Sequence, residues 1–330
     1  MRAAIVNEFG PIASHTVGDL PDPVPHAGEL LVTIKATAVN FVDSLVVTGK
    51  YQFLPQRPFA PGKMPVGKVT ALGANVTGFK IGDRVLTMAE QGGYAQKVAV
   101  EAKQCFKLPA SMSFGEAASM ALVYDTSWFA LRERARIQPG DSVLVLGATG
   151  GVGFASVQLA KAMGATVLAG VSSAAKAAAV LAAGASDFID LSQPDLCDSL
   201  REQVFTKNDG KGVDIVIDPV GGDAFDAALR ALAWRGRLVV IGFASGRIPE
   251  VKANYLLVKN IEVTGLQVSD YRKRMPEMMS ECMREIFTLY EHGKLKPAPF
   301  QSRPLDAFST SLQEIVDRRA SGRIVLEPNP

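Results

Sequence analysis

The sequence predicts an α/β protein in two parts, a small antiparallel β-barrel followed by a doubly wound parallel sheet. Two textures of sequence lead to this. Before Phe114 the apolar residues come in short β-branched runs, broken by clusters such as Pro21-Asp-Pro-Val-Pro25 and Pro58-Phe-Ala-Pro-Gly62. Many short strands with turn signals between them make a barrel. From about Phe114 onward, long helical patterns alternate with buried strands, as in βαβ repeats. A chain of 330 residues is long enough to build a core for each part.

The barrel strands are expected over 3–6, 29–36, 67–72, 83–87 and 93–100, where Val, Ile, Leu and Thr dominate. The parallel strands are expected over 142–146, 166–171, 187–190, 213–217, 237–241 and 261–265. Helices are expected between them over 154–163 and 223–232. The alanine-rich stretch 174–183 reads as a further helix rather than as low complexity. A helix over 276–292 starts at Pro276 and stops before Gly293, with Met278, Cys282, Ile286 and Leu289 on one apolar stripe. A helix over 306–320 and a strand over 323–326 finish the chain. One strand cannot stand alone, so the tail is expected to rejoin the first sheet. The domains then read 1–118, 119–265 and a return over 266–330.

Val143-Leu-Val-Leu-Gly147-Ala-Thr-Gly150-Gly151-Val-Gly153 is a buried strand running into a glycine-rich turn and a helix. Such a turn lets backbone approach a pyrophosphate, and the helix N-terminus offers unpaired N–H groups and a favourable dipole. Gly147, Ala148, Thr149, Gly150, Gly151, Val152 and Gly153 are therefore candidate cofactor ligands. Ala148 stands where the usual motif opens with its first glycine. An NAD site normally carries an acid about 20 residues further on, for the ribose hydroxyls. No carboxylate lies between Asp141 and Asp187. The second strand ends instead in Ser172, Ser173 and Lys176, which suit a 2′-phosphate that an acid would repel. The cofactor predicted is NADPH. Gly242 and Phe243, at the end of a later strand, are expected near the nicotinamide end.

Other classes fit poorly. A net charge of +2 gives no footprint for nucleic acid. Three scattered cysteines make neither a disulfide framework nor a metal cluster. The early charges Arg2 and Glu8 do not suit a secretory signal. Residues 142–160 carry no charge and match a membrane span in length, but four glycines interrupt them. A protein with no membrane segment, in a reducing cytoplasmic setting, is the expectation.

Ala38-Val-Asn-Phe-Val-Asp43, Gly49-Lys-Tyr51, Pro58-Phe-Ala-Pro-Gly62, Gly82-Asp-Arg-Val85, Gly93-Tyr94, Thr126, Gly147–Gly153, Asp218-Pro-Val-Gly-Gly222 and Gly322-Arg-Ile-Val-Leu326 run through nearly the whole chain. In combination they resemble the zinc-free, quinone oxidoreductase-like branch of the medium-chain dehydrogenase/reductase superfamily. The resemblance implies a GroES-like β-barrel catalytic domain joined to a Rossmann domain, an active site between them, and a homodimer or homotetramer built through the Rossmann sheet edges. Zinc-dependent relatives place a cysteine where this chain has Asn40 and a His-Glu pair where it has Lys63-Met64. His15, His26 and His292 fall at none of those positions, so no metal is expected.

Without a Lewis acid, the expected substrate is a small electrophile, either a quinone or the activated double bond of an α,β-unsaturated carbonyl. Charge builds on a conjugated oxygen, so hydrogen-bond donors aimed there would lower the barrier. The matched positions make Asn40, Tyr51 and Thr126 the catalytic candidates, with Asp43 an orienting group. Tyr124 and Asp125 replace a glycine-rich stretch and are expected at the substrate pocket floor. Leu191 replaces a tyrosine that helps hold the 2′-phosphate in relatives. Two alternatives stand beside this reading. One is an enoyl-CoA reductase of the acryloyl-CoA type, with Arg247 and Arg272-Lys273-Arg274 receiving CoA phosphates. The other is a non-catalytic NADPH-binding structural or RNA-associated protein.

Overall fold

The computed structural model describes residues 1–329, which form two compact units. The first comprises Met1–Leu122, Tyr271–Met283 and the chain from Pro297 onward; the second comprises Val123–Asp270 and Arg284–Lys296. No helix among the described residues is long and apolar enough to cross a membrane.

The first unit opens with β1 (Arg2–Ile5) paired antiparallel to β2 (Thr16–Asp19). Its spine is β3 (Glu29–Ala38), whose even-numbered residues from Leu30 to Ala38 are all buried, the period-2 signature of a half-buried strand. After β3 come α1 (Phe41–Val47), β4 (Val66–Leu72), β5 (Arg84–Thr87), β6 (Lys97–Glu101), β7 (Cys105–Lys107) and α2 (Phe114–Met120). β3 pairs antiparallel with both β4 and β6, and β4 continues to β5 and β7. Leu30, Val32, Ile34, Val69, Val85, Val98 and Val100 fill one side of this GroES-like domain.

The second unit begins with α3 (Val123–Trp128) and β8 (Ser142–Val145). It continues through α4 (Gly151–Ala162), β9 (Thr166–Val171), α5 (Ala177–Ala182), β10 (Asp187–Asp190), α6 (Leu196–Lys207), β11 (Val213–Asp218), α7 (Gly222–Ala231), β12 (Leu232–Val240), α8 (Ala253–Lys259) and β13 (Glu262–Gly265). The six strands run parallel in the order β10-β9-β8-β11-β12-β13. The order reverses at β8/β11, the switch point where doubly wound sheets bind ligands. Leu144, Leu168, Val216, Phe225, Ala228 and Leu238 are among the core residues that bury one face.

The remainder is α9 (Val268–Arg274), α10 (Pro276–Glu291), β14 (Phe300–Pro304), α11 (Phe308–Val316) and β15 (Arg323–Glu327). β15 pairs antiparallel with β3, Val325 opposite Ala38, and parallel with β14. Phe308, Leu312, Ile324 and Leu326 pack with Val39, Val46, Phe59 and Tyr94 in a second cluster.

Several elements depart from the sequence expectation. The helix expected at 154 begins at Gly151, because the glycine turn is itself its first turn. The helix expected over 174–183 opens as a 3-10 turn, Ala174–Lys176, before α5. The strand expected over 93–100 starts only at Lys97; Gly93 and Tyr94 instead donate their N–H groups to Gly62 and Pro61, outside any strand. The helix expected over 306–320 stops at Val316, where Arg318 turns left-handed at φ 58°.

Candidate active site

The glycine turn of the second unit is built by close packing. Ala148 is fully buried and donates its N–H to the Gly170 carbonyl at 2.9 Å. Gly150 is the N-cap of α4 and donates to the Gly147 carbonyl at 2.9 Å. A Cβ on Gly153 would fall 2.3 Å from Gly147 O and 2.7 Å from Ala148 Cα. Both neighbours are backbone and cannot yield, so only glycine lets α4 seat against the turn. The N-terminus of α4 has no side-chain cap and no acid in its first turn. Its N–H groups and dipole are therefore left for an anion. Behind the turn, the Ser127 hydroxyl lies 2.7 Å from Val123 O and 3.0 Å from Val152 O, and accepts from Ser156 Oγ at 3.0 Å. That hydroxyl pair ties α3 to the first turn of α4.

At the end of β9, Ser172 and Lys176 are exposed, and neither side chain has a partner among the described residues. Ser173 accepts from the Ala175 N–H at 3.3 Å and so shapes the turn that carries Lys176. Asp190 ends the neighbouring strand, but its carboxylate is occupied by Ser192 and Gln193. The Ser192 hydroxyl and N–H, with Gln193, hold that carboxyl below its ordinary range. Leu191 lies over Gly170, since a Cβ there would meet Leu191 Cδ1 at 3.2 Å.

Beyond β11, Asp218 is fully buried and its Oδ1 accepts from the Val220 and Gly221 N–H groups at 2.8 Å each. Burial pushes this carboxyl up, against the pull of those two bonds. Gly221 and Gly222 follow at φ 69° and 60°, a consecutive left-handed pair that side chains rarely adopt. The segment after β12 hydrogen-bonds onto this turn, through Ala244 N to Pro219 O and Ser245 N to Val220 O. It carries Gly242, half-buried, and Phe243, which is 39% exposed. Arg247 is held by Asp223 at 2.9 Å and by Asp226.

On α3, Thr126, Tyr124 and Asp125 are all buried. The Tyr124 hydroxyl donates to Lys296 O at 3.3 Å, and Asp125 Oδ1 accepts the Thr126 N–H at 2.7 Å. Both candidates for the pocket floor are thus engaged inside the second unit.

The first unit gathers a polar network around α1. Asn40 is the N-cap, 3% exposed, and its backbone N–H donates to Asp43 Oδ2 at 3.0 Å. Its side-chain Nδ2 donates to Ala38 O at 3.1 Å, and its Oδ1 accepts from Arg323 Nη2 at 2.8 Å. Asp43 also accepts from the Tyr94 hydroxyl at 2.7 Å. Burial raises the Asp43 carboxyl, opposed by Tyr94, by the Lys63 charge and by Asn40. Burial and the Asp43 carboxylate together push the Tyr94 phenol well up.

Lys63 is 4% exposed and donates to Glu90 Oε2 at 2.5 Å, while Arg272 Nη1 reaches the other oxygen of Glu90 at 2.8 Å. Burial alone would raise Glu90, but Arg272 and Lys63 prevail and hold it at about 2. Tyr51 is half-buried, and the Lys63 ammonium lies over its ring, 5.3 Å from the centroid. Lys273 lies 5.1 Å from the Phe53 ring centroid.

Asn40, Asp43 and Tyr51 were named from the sequence; their contacts with Tyr94, Arg323 and Lys63, and the pairing of Lys63 with Glu90, come from the structure. A signal for Lys63 was present in Ala60-Pro-Gly-Lys-Met-Pro-Val66, where a lone cation in an apolar loop demands a partner. Arg272 and Arg247, considered for CoA phosphates, are both committed to carboxylates within their own units. The Arg272 guanidinium is buried, whereas the Arg247 side chain is 48% exposed and stands at the surface.

The sequence matches the family model of the alcohol dehydrogenase GroES-like domain over residues 26–110 and that of the zinc-binding dehydrogenases over residues 151–284. It is 36% identical over 300 residues to the quinone oxidoreductase-like protein 2 homolog of Nematostella vectensis, covering 90% of this chain and 81% of that protein. The fold matches the crystal structure of Pseudomonas syringae quinone oxidoreductase with a TM-score of 0.91 and 31% identity, over 99% of both chains. It matches Escherichia coli quinone oxidoreductase, crystallised with NADPH, with a TM-score of 0.90 and 29% identity, over 99% of this chain and 100% of that one. By sequence and by fold, the chain belongs to the quinone oxidoreductase-like family of medium-chain dehydrogenases/reductases.

Proposed function

We propose that this chain is an NADPH-dependent oxidoreductase that reduces a quinone or the activated double bond of an α,β-unsaturated carbonyl, without zinc. The observation that carries the cofactor reading is the acid-free end of β9, where Ser172 and Lys176 stand exposed and unpartnered beyond an uncapped α4. These residues fit the cofactor. Backbone from Gly147 to Gly153 would hold the pyrophosphate, Ser172, Ser173 and Lys176 the 2′-phosphate, and Gly242 and Phe243 the nicotinamide end. NADPH supplies a hydride equivalent.

The rest of the chemistry falls to the first unit. A guanidinium can only donate, so Arg323 fixes the Asn40 amide with Oδ1 toward itself and Nδ2 away. One Nδ2 hydrogen is used by Ala38 O, and the amide, which also serves the Asp43 carboxylate, is assigned to the oxygen on which charge builds. Such a donor lowers a barrier by about 3 kcal/mol. Asp43, anchored by Tyr94, holds the Asn40 backbone so the amide does not drift. Tyr51 supplies the proton, and Thr126 is assigned to the nicotinamide side. Asn40 and Lys63 replace a thiolate and an imidazole with an amide and an ammonium, neither of which ligates zinc, and this supports the metal-free reading.

The test is NADPH oxidation across a panel of quinones, enals, enones and enoyl thioesters. Turnover with at least one class is expected. Tight NADPH binding with no turnover anywhere in the panel would refute the enzymatic reading.

A further inference from the structure

Three cations and two carboxylates share a polar network of the first unit, and its Lys63 faces Tyr51. Lys63 and Arg272 share Glu90, Arg323 binds Asn40, and Asp43 lies within the field of Lys63. Lys63 is the cation of this group that faces the phenol ring. A lysine 4% exposed needs a reason to be buried, and a salt bridge alone is a weak one, since well-packed apolar residues serve stability as well. Arg272 holds one Glu90 oxygen and Lys63 the other, so Glu90 keeps a charged partner when Lys63 is lost.

We propose that Lys63 is a positioning residue for Tyr51. Its ammonium, gripped by Glu90, fixes the phenol ring and offsets the negative charge left when Tyr51 gives up its proton. This rests on the reductase reading above. In that step the substrate carbon gains a hydride and the conjugated oxygen takes the electron pair. The Tyr51 O–H bond breaks and its proton moves to the substrate. The phenolate left behind is reprotonated by water, so the net change is one hydride and one proton added. A fixed cation over the ring stabilises that phenolate until water returns the proton.

The experiment is a double-mutant cycle with Lys63→Met and Tyr51→Phe. Lys63→Met leaves Glu90 paired with Arg272 and orphans no charge. It is expected to lower kcat by about 10- to 100-fold, to leave the KM for NADPH unchanged, and to raise the solvent deuterium isotope effect on kcat. Lys63→Arg should recover most of the loss. On the Tyr51→Phe background, Lys63→Met should cost nothing further. In cofactor-free protein with ring-labelled tyrosine, the Tyr51 NMR resonances should move in Lys63→Met and not in a distant surface control. Should Lys63→Met not fold, Lys63→Gln gives the same cycle with a polar side chain. A full Lys63→Met loss on the Tyr51→Phe background, or unmoved Tyr51 resonances, would overturn the positioning role alone. Undiminished turnover in Tyr51→Phe would overturn the assignment of Tyr51 and this proposal with it, while leaving reductase activity standing.

Discussion

Cofactor preference should shift from NADPH towards NADH by more than about tenfold when Ser172 becomes Asp and Lys176 becomes Ala. Both side chains are exposed and unpartnered among the described residues, so their replacement disturbs no internal bond. Ser173 is kept, because it shapes the turn by accepting from the Ala175 N–H. The magnitude has two parts. An exposed cation facing a phosphate contributes about 1 kcal/mol after screening. A new carboxylate about 4 Å from that phosphate costs roughly another 1 kcal/mol in a water-like dielectric. Together these are about 2 kcal/mol, or roughly a thirtyfold change in the NADPH-to-NADH affinity ratio. The assay is titration of each cofactor by its fluorescence, at about 0.1 M and again at about 1 M salt, where the Debye length shrinks and the difference should narrow. A ratio within about threefold of the starting protein, or one indifferent to salt, would refute a 2′-phosphate at the end of β9.

Three further outcomes follow from the geometry. Gly153→Ala places a Cβ 2.3 Å from a backbone oxygen, so the helix must retreat from the turn. It should lower stability by about 1–3 kcal/mol in urea and weaken NADPH binding; an unchanged affinity contradicts the turn's role. Asn40→Ala should lower kcat by about 100-fold with NADPH affinity nearly unchanged, and a loss confined to binding would contradict its place at the reacting oxygen. Glu90 sits at about 2 in the folded chain against an ordinary 4.5, so its pairing stabilises fully above 4.5 and is lost as pH falls toward 2. Urea unfolding should show roughly 2 kcal/mol of stability lost between about pH 5 and pH 2 through this group, and Glu90→Gln should lack that component while being weaker near neutrality.

Much of the second unit was written locally. The β8–turn–α4 motif rests on strand residues and glycines that are neighbours in sequence, and the missing acid after β9 is visible by inspection. The boundaries were less legible where a loop is shaped from afar. Gly93 and Tyr94 look like strand, yet their N–H groups go to Gly62 and Pro61. β2, β7 and β14 bury at most one residue each, so they carry little apolar pattern and exist because partner strands offer them ladders.

The sequence alone determined the two-part architecture, the glycine turn and the acid-free end of β9, because each shows in residues close together in the chain. Only the tertiary structure decided which polar groups meet. Arg323 reaches Asn40 because β15 lies beside β3, and Arg272 reaches Glu90 across most of the chain's length. It also decided that Arg272 is a buried, paired cation rather than an open one. The physical reason is that a buried charge must find a partner wherever the fold supplies one, and sequence spacing carries no record of that choice.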